Sequence, residues 1–257
     1  MPLRVTVLGS CGAWPEAGRA CSGFLVEAGG RRLVVDLGYG TAPRLSAAVP
    51  VETLSAVVVT HAHPDHWIDL HALFRARYYG HRGTGLPPLP VYLPAGLTEL
   101  LVALEGEGGP EPLRETFTVR EYAAGEVVDL DGLRVALVPL PHYVPNMGVR
   151  VEGDGAVFAY TGDTGPAAEV ADLGAGADLF AVDATFQDRP VATVTPAPRY
   201  NLTAREAGLF AARAMAHRLL LTHFWPGADR HRSRAEAAGS YDGEILLADE
   251  GLVIPLT

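Results

Sequence analysis

Short apolar, β-branched runs recur along the chain, and many of them stop at a polar residue. Residues 4–8, 23–27 and 32–36 read as strands, with Gly29-Gly30 as the turn between the last two. Residues 42–49 predict a short helix, 56–59 a buried strand and 67–79 a further helix, delayed by Pro64 until Asp65 or His66. Glycine and proline mark 83–90 and 106–112 as loops. Between and after them come a strand at 91–93, a helix at 97–104, and strands at 117–119, 126–130 and 133–139 around an Asp131-Gly132 turn. The second half repeats the alternation. A hairpin of 148–151 with 157–161 leads to a helix at 166–173, a strand at 179–184 and a helix at 203–214. A strand at 218–222, a helix near 233–238 and strands at 244–248 and 252–254 follow. Strands and helices in both halves predict an α/β fold of two face-to-face sheets with helices outside, a four-layer αββα sandwich. No linker divides it, so residues 1–257 are expected to form one domain.

Composition narrows the setting. With 257 residues and 48% hydrophobic content the chain can bury a large core. No stretch reaches the roughly twenty apolar residues of a membrane span, and the N-terminus enters a strand at once, so no removable leader is expected. Cys11 and Cys21 could make one bridge but no disulfide framework, and are expected to be core fillers. A reduced cytoplasm is the expected compartment. The formal net charge is −10, from 20 Lys+Arg against 30 Asp+Glu. An acidic surface repels a phosphate backbone, which predicts no large nucleic-acid partner unless a local basic patch exists. Arg75, Arg77 and Arg82, or Arg230, Arg232 and Arg234, could form small patches, or simply be solvated helix arginines.

The chemistry is concentrated at strand ends. Thr60-His61-Ala62-His63-Pro64-Asp65-His66 follows the run Ala56-Val57-Val58-Val59 and puts four metal-binding side chains on one strand-to-helix loop. There His61 and His63 can converge on one ion and Asp65 and His66 on a second. Imidazole and carboxylate suit zinc first, then manganese or iron. His142, Asp163 and His223 each stand just beyond a predicted strand, where a site on the sheet edges would need them.

This ordered set resembles the metallo-β-lactamase-fold hydrolases, and the likeness spans residues 3–254. Thr161-Gly162-Asp163-Thr164, Leu219-Leu220-Leu221-Thr222-His223 and the opening Val7-Leu8-Gly9-Ser10-Cys11-Gly12 resemble the ribonuclease Z branch. Asp65-His66-Trp67-Ile68-Asp69-Leu70 with Phe74-Arg75 and Arg77-Tyr78 is similar to class II-like cyclic nucleotide phosphodiesterases of this fold. The resemblance implies one divalent ion on His61, His63 and His142, a second on Asp65, His66 and His223, and Asp163 bridging both. Two such ions, about 3.5 to 4 Å apart, would lower the pKa of a shared water and polarise the substrate. Asp65 is expected to orient that nucleophile. Asp36, Thr60 and Thr222 are expected to fix imidazole tautomers, unless they only cap strand ends. Pocket walls are expected from 67–89, with Tyr78, Tyr79 and His81, and from Phe224-Trp225. His71 and His217 are read as helix residues without a catalytic role.

Two departures from the ribonuclease Z pattern shape the expected substrate. Asp183-Ala184-Thr185-Phe186 stands where that branch has a Glu-Ala-Thr-Phe run, and Asn201 replaces a histidine that helps protonate the leaving oxygen. Loss of a positioned acid typically costs about 10²- to 10⁴-fold. Asp183 and Asn201 are therefore taken as altered catalytic positions, with Tyr143, His81 or His231 as substitute acids. The short interval from His142 to Asp163 leaves no room for a projecting arm that clamps transfer RNA. These departures predict a small substrate, a phosphodiester or related ester, and not transfer RNA; a thioesterase, lactonase or amide hydrolase is the alternative. Oligomeric state is left open, with a homodimer among the options.

Overall fold

The computed structural model describes residues 2–106, 109–188 and 199–256. One sheet contains β1 (Arg4–Gly9), β2 (Gly23–Ala28), β3 (Arg31–Val35), β4 (Ala56–Val58), β5 (Leu89–Leu93), β6 (Phe117–Glu121) and β14 (Val253–Pro255). Its strand order is β14-β1-β2-β3-β4-β5-β6. The other contains β7 (Val127–Asp129), β8 (Arg134–Leu140), β9 (Asn146–Gly153), β10 (Ala156–Tyr160), β11 (Leu179–Asp183), β12 (Arg218–Thr222) and β13 (Glu244–Leu247), in the order β13-β12-β11-β10-β9-β8-β7. In each, an antiparallel portion passes into parallel pairs: β3-β4-β5-β6 in the first and β10-β11-β12-β13 in the second.

Alternation along the central strands builds the layers. Val5, Val7, Phe24, Val26, Leu33 and Val35 face Val149, Val151, Phe158, Tyr160, Leu179 and Ala181 in a core between the sheets. Their neighbours Leu25, Val34, Val57 and Val59 point outward, onto α1 (Thr41–Ala48), α3 (Asp69–Gly80), α4 (Leu97–Glu105) and α5 (Glu111–Thr116). On the other flank Phe180, Val182, Leu219 and Leu221 meet α6 (Ala168–Leu173), α7 (Ala204–Arg213) and α8 (Arg230–Ala238). Strands covered on both faces need apolar residues at every position, so runs such as Ala56-Val57-Val58-Val59 are continuous. The αββα sandwich read from the pattern is the observed architecture.

The differences are local. Pro64 opens a helix instead of delaying one: α2 (Pro64–Trp67) starts on it, because the first helical residue needs no N–H partner. The helix predicted over 67–79 is interrupted at Ile68 and resumes as α3. Residues 111–116, within and after a segment read as a loop, form α5, with Pro112 tolerated in its first turn. Among the described residues no helix is long and apolar enough to cross a membrane.

Candidate metal centre

Five ends of parallel-sheet strands and one hairpin strand deliver the polar cluster to a single edge of the sandwich. Asp36 follows β3, the His61 loop follows β4, His142 follows β8, Asp163 follows β10, Asp183 closes β11 and His223 follows β12. His61, His63, His142 and Asp163 form one group with a ligand atom from each within 4.8 Å of the others. Asp65, His66, Asp163 and His223 form a second by the same measure. Asp163 belongs to both. Its Oδ1 lies 3.2 Å from His66 Nε2 and 3.1 Å from His223 Nε2, while Oδ2 lies 3.6 Å from His142 Nε2 and 3.9 Å from His61 Nε2. The seven residues read as ligands are thus brought together in the predicted grouping.

The cluster has the chemistry of a cation site. His61 Nε2, His66 Nε2 and Asp163 Oδ1 are buried and have no hydrogen-bond partner among the described residues. Orphaned polar atoms in a dry site are costly unless a ligand takes them up, and a cation would. The ionisation pattern agrees. Burial alone would raise Asp163, yet the His223 and His66 charges hold it well below the usual carboxylate range. Asp65 is likewise lowered against the pull of burial, chiefly by His66 and then His223. His66 is driven well above its ordinary value despite burial, by Asp163, Asp36 and Asp65, and His223 is raised by Asp163 and Asp65. Burial and the neighbouring His66 push His61 well below, and burial also lowers His142. Positive charge is therefore wanted at the centre, and neutral imidazoles are ready at its rim.

Matching supports fix the imidazoles from the two sheets. On the first, Asp36 Oδ2 lies 2.7 Å from His66 Nδ1 and accepts from the Thr60 hydroxyl at 2.9 Å, which itself lies 3.0 Å from His61 Nδ1. On the second, Thr185 Oγ1 lies 2.5 Å from Asp183 Oδ1 and 2.8 Å from His223 Nδ1. The His142 Nδ1–H donates to the Tyr200 carbonyl at 2.7 Å. Each contact turns Nε2 toward the centre. Asp36 and Thr60 are where they were expected. Thr222 is not the second support: its hydroxyl is buried without a partner among the described residues, and Thr185 takes the role. Thr185 was legible in principle, since it lies two residues after the strand-end Asp183.

Ala13, also missed, has a left-handed backbone at φ 60°, and its N–H donates to Asp65 Oδ2 at 2.7 Å. Asp36 and His223 adopt the same unusual region, at φ 62° and 57°. Three non-glycine residues there mark a loop set whose conformation is held by its surroundings. Tyr122 Oη donates to the carbonyls of Val59 and Thr60 at 2.7 and 2.9 Å, pinning the start of the histidine loop.

Asp183 is fully buried, and burial pushes it up to about 6. It accepts from the Thr164, Thr185 and Leu202 N–H groups and from Asn201 Nδ2 at 3.0 Å. Asn201 is therefore a donor to Asp183, with Thr185 Oγ1 a second acceptor at 3.2 Å. Of the substitute acids, Tyr143 packs edge-on to His142 with ring centroids 5.3 Å apart, whereas His81 lies 3.5 Å from Glu52 at the far end of α3. His231 sits in the first turn of α8.

Tyr78 and Tyr79 likewise lie on α3 away from the donor groups, and Phe224 is buried in the core, leaving Trp225 exposed. Four of the six arginines of the candidate basic patches are engaged elsewhere: Arg75 pairs with Glu105 at 2.8 Å, and buried Arg77 donates to the Val51 and Pro87 carbonyls. Arg230 donates to Ser10 and the Ala248 carbonyl, and Arg232 pairs with Glu236. Cys11 and Cys21 are buried and free. His71 and His217 face Glu105 and Asp178.

Known proteins are similar to this chain in sequence and fold. The family model for the beta-lactamase superfamily domain matches residues 31–224. A relative named ribonuclease Z, from Mycobacterium bovis (strain BCG / Pasteur 1173P2), is 31% identical over 275 residues, covering 96% of this chain and 96% of its own. The metallo-beta-lactamase fold protein YhfI from Bacillus subtilis superposes with a TM-score of 0.87 at 27% identity, covering 99% of both chains. The short form of human tRNase Z superposes with a TM-score of 0.77 at 23% identity, over 99% of both chains, a likeness of fold.

The ribonuclease Z relative overturns the substrate expectation. A small substrate, the exclusion of transfer RNA and the absence of a large nucleic-acid partner do not stand against a ribonuclease Z matched over 96% of both chains. The physical error lay in weighing Asn201 as a lost acid alone, when its amide keeps the polar contact with Asp183 at 3.0 Å. Net charge misled as well, because the potential a substrate meets is set near the site and changes with bound cations.

Proposed function

The chain belongs to the beta-lactamase superfamily, in its ribonuclease Z-like branch of metal-dependent hydrolases, and from that footing we propose that it is a zinc-dependent phosphodiesterase that cleaves RNA, with precursor transfer RNA as its substrate class. The observation that carries this is Asp163, shared by two donor groups in a chain that matches a ribonuclease Z over 96% of both lengths. His61, His63 and His142 would hold one ion, Asp65, His66 and His223 the other, and Asp163 both. Imidazole-rich donors with two carboxylates suit zinc before manganese or iron. Two such ions supply the charge that activates water and polarises a phosphoryl oxygen.

The residues of the chain do the positioning. The Ala13 N–H holds one oxygen of Asp65, the Thr60 and Thr185 hydroxyls set His61 and His223, and Asp163 joins the groups. Asp183, at about 6, is mostly ionised at neutral pH and anchors Thr164, Thr185 and Asn201 around His223. Both donor groups draw on both sheets, which supports residues 1–257 acting as one catalytic domain. The buried free cysteines support a reducing, cytoplasmic setting.

The test is incubation of the zinc-loaded protein with a precursor transfer RNA bearing a 3′ extension. Endonucleolytic removal of the extension by the wild type, and none by Asp163→Asn, is expected. Intact precursor after incubation with fully metal-loaded wild type would remove the reading.

A further inference from the structure

Large aromatic side chains left in solvent are concentrated at the metal centre. Among the described residues, the exposed aromatics are Trp14 at 46%, Tyr79 at 57%, Tyr143 at 69% and Trp225 at 43%. Tyr79 lies under the Arg75 guanidinium on α3. The other three adjoin the donors. Exposed tryptophans forgo burial that a core would reward, so their grouping at one edge points to a binding surface.

They form two ledges, one on each donor group. Trp14 and Trp225 meet edge to face with centroids 4.9 Å apart, and Phe186 lies nearly parallel to Trp225 at 6.2 Å. Trp14 follows Ala13, whose N–H holds Asp65, and Trp225 comes two residues after His223, so this ledge is built on the Asp65–His66–His223 group. Tyr143 and Tyr200 pack with centroids 4.3 Å apart. Tyr143 follows His142, and the Tyr200 carbonyl accepts from His142 Nδ1, so the second ledge is built on the His61–His63–His142 group. A phosphodiester lying across the two groups would extend one nucleoside toward each ledge.

Charge selects what the ledges take. At the site itself, Arg230 and Arg232 near the tryptophan ledge are engaged by Ser10, Ala248 and Glu236. Stacking on an aromatic face needs no opposite charge and is open to any base that has left a duplex. We propose that Trp14 with Trp225, and Tyr143 with Tyr200, are stacking subsites for the two unpaired bases flanking the scissile phosphodiester of RNA. This rests on the RNA-cleaving reading above and names how that substrate is held: specificity for an unpaired segment comes from the aromatic ledges.

The test uses the full zinc-loaded chain and an RNA with a single-stranded 3′ extension in which each nucleotide flanking the cut is replaced in turn by an abasic residue. Each replacement is expected to lower kcat/KM by roughly 5- to 150-fold, the range for one stacked base. Trp225→Ala and Tyr143→Ala should each cause such a fall on intact RNA and none on the matching abasic RNA, with Trp225→Phe restoring most of the loss. Base-dependent quenching of the exposed tryptophans by the same RNA, measured with the non-cleaving Asp163→Asn variant, provides an independent readout. Cleavage indifferent to abasic replacement, or a Trp225→Ala loss equal on intact and abasic RNA, overturns the subsites and keeps the reaction. No cleavage by wild type together with base-dependent quenching removes the reaction and keeps the subsites.

Discussion

The hydroxyl of Thr185 stands 2.8 Å from Nδ1 of His223, while 2.5 Å away on its other side lies Asp183. With the threonine proton on the carboxylate side, the hydroxyl oxygen accepts from Nδ1–H, and Nε2, facing Asp163, is the nitrogen offered to a cation once its own proton has left. Thr60 links Asp36 to His61 in the same way from the opposite sheet. Replacing Thr185 by valine keeps the volume and removes the acceptor, so the imidazole loses its fixed tautomer. Outer supports of this kind typically account for 10- to 100-fold in metal affinity. Thr185→Val is expected to weaken zinc binding by about that factor in a chelator competition, with Thr185→Ser near wild type. Equal affinities for Val and wild type would refute the relay.

Metal loading should displace protons. Without a cation, Asp163 and its neighbours raise His66 and His223 although burial opposes this, which favours their protonated forms. A cation can bind their Nε2 atoms only after those protons leave. Affinity should therefore rise with pH through the neutral range and fall on acidification, by about tenfold per pH unit for each proton displaced. Calorimetric zinc titrations in buffers of different ionisation enthalpy would report the release directly. A binding constant flat between pH 6 and 8 would contradict the assignment of protons to these two histidines.

Gly12 owes its identity to the same histidine. A Cβ placed there would sit 2.6 Å from His223 Cε1 and 2.7 Å from Nδ1, with the ring as the nearest obstacle. Gly12→Ala should push the imidazole off its Thr185 contact and weaken the second donor group, while the first remains filled. Metal analysis after dialysis is expected to show loss of up to one equivalent relative to wild type. Full retention, with unchanged affinity, would show that the loop yields to the methyl group.

The legible part of this molecule was whatever depends on local pattern. Continuous apolar runs revealed two-sided strands, and polar residues at their ends revealed the ligands, because parallel strands bring their ends to one edge whatever the loops between them. The supports were less legible. Thr60 is adjacent to a ligand and was found, but Thr185 meets His223 across 38 positions and Ala13 meets Asp65 across 52. Each joins two loops at the edge of a single sheet, Thr185 after β11 to His223 after β12 and Ala13 after β1 to Asp65 after β4, so it is set by the strand order, which local pattern does not reveal. Pro64 was misread because the rule against proline inside helices was applied to a first turn, where its missing N–H costs nothing. The substrate was misread because one side chain, Asn201, was weighed without its neighbours.

Those neighbours make a final expectation. Helix α7 begins with a reciprocal cap: Thr203 Oγ1 accepts from the Glu206 N–H at 3.2 Å, and Glu206 accepts from the Thr203 N–H at 2.9 Å. The cap also sets the loop before it, where Leu202 and Asn201 donate to Asp183. Thr203→Ala should cost about 1 kcal/mol, or about 2–4 °C in Tm for a chain of this size. Burial raises the Glu206 carboxyl, but Arg199 and the Thr203 N–H outweigh it and hold it below its ordinary value. Its folded pKa is thus depressed, so its contribution is complete above the unfolded carboxylate value and is lost as pH falls through the folded one. The stability gap between wild type and Glu206→Gln should accordingly be widest near neutrality and shrink on acidification below about pH 4. A gap that widened in acid would mean that Glu206 is held in its protonated form, and the cap would have to be redrawn with the carboxyl as donor.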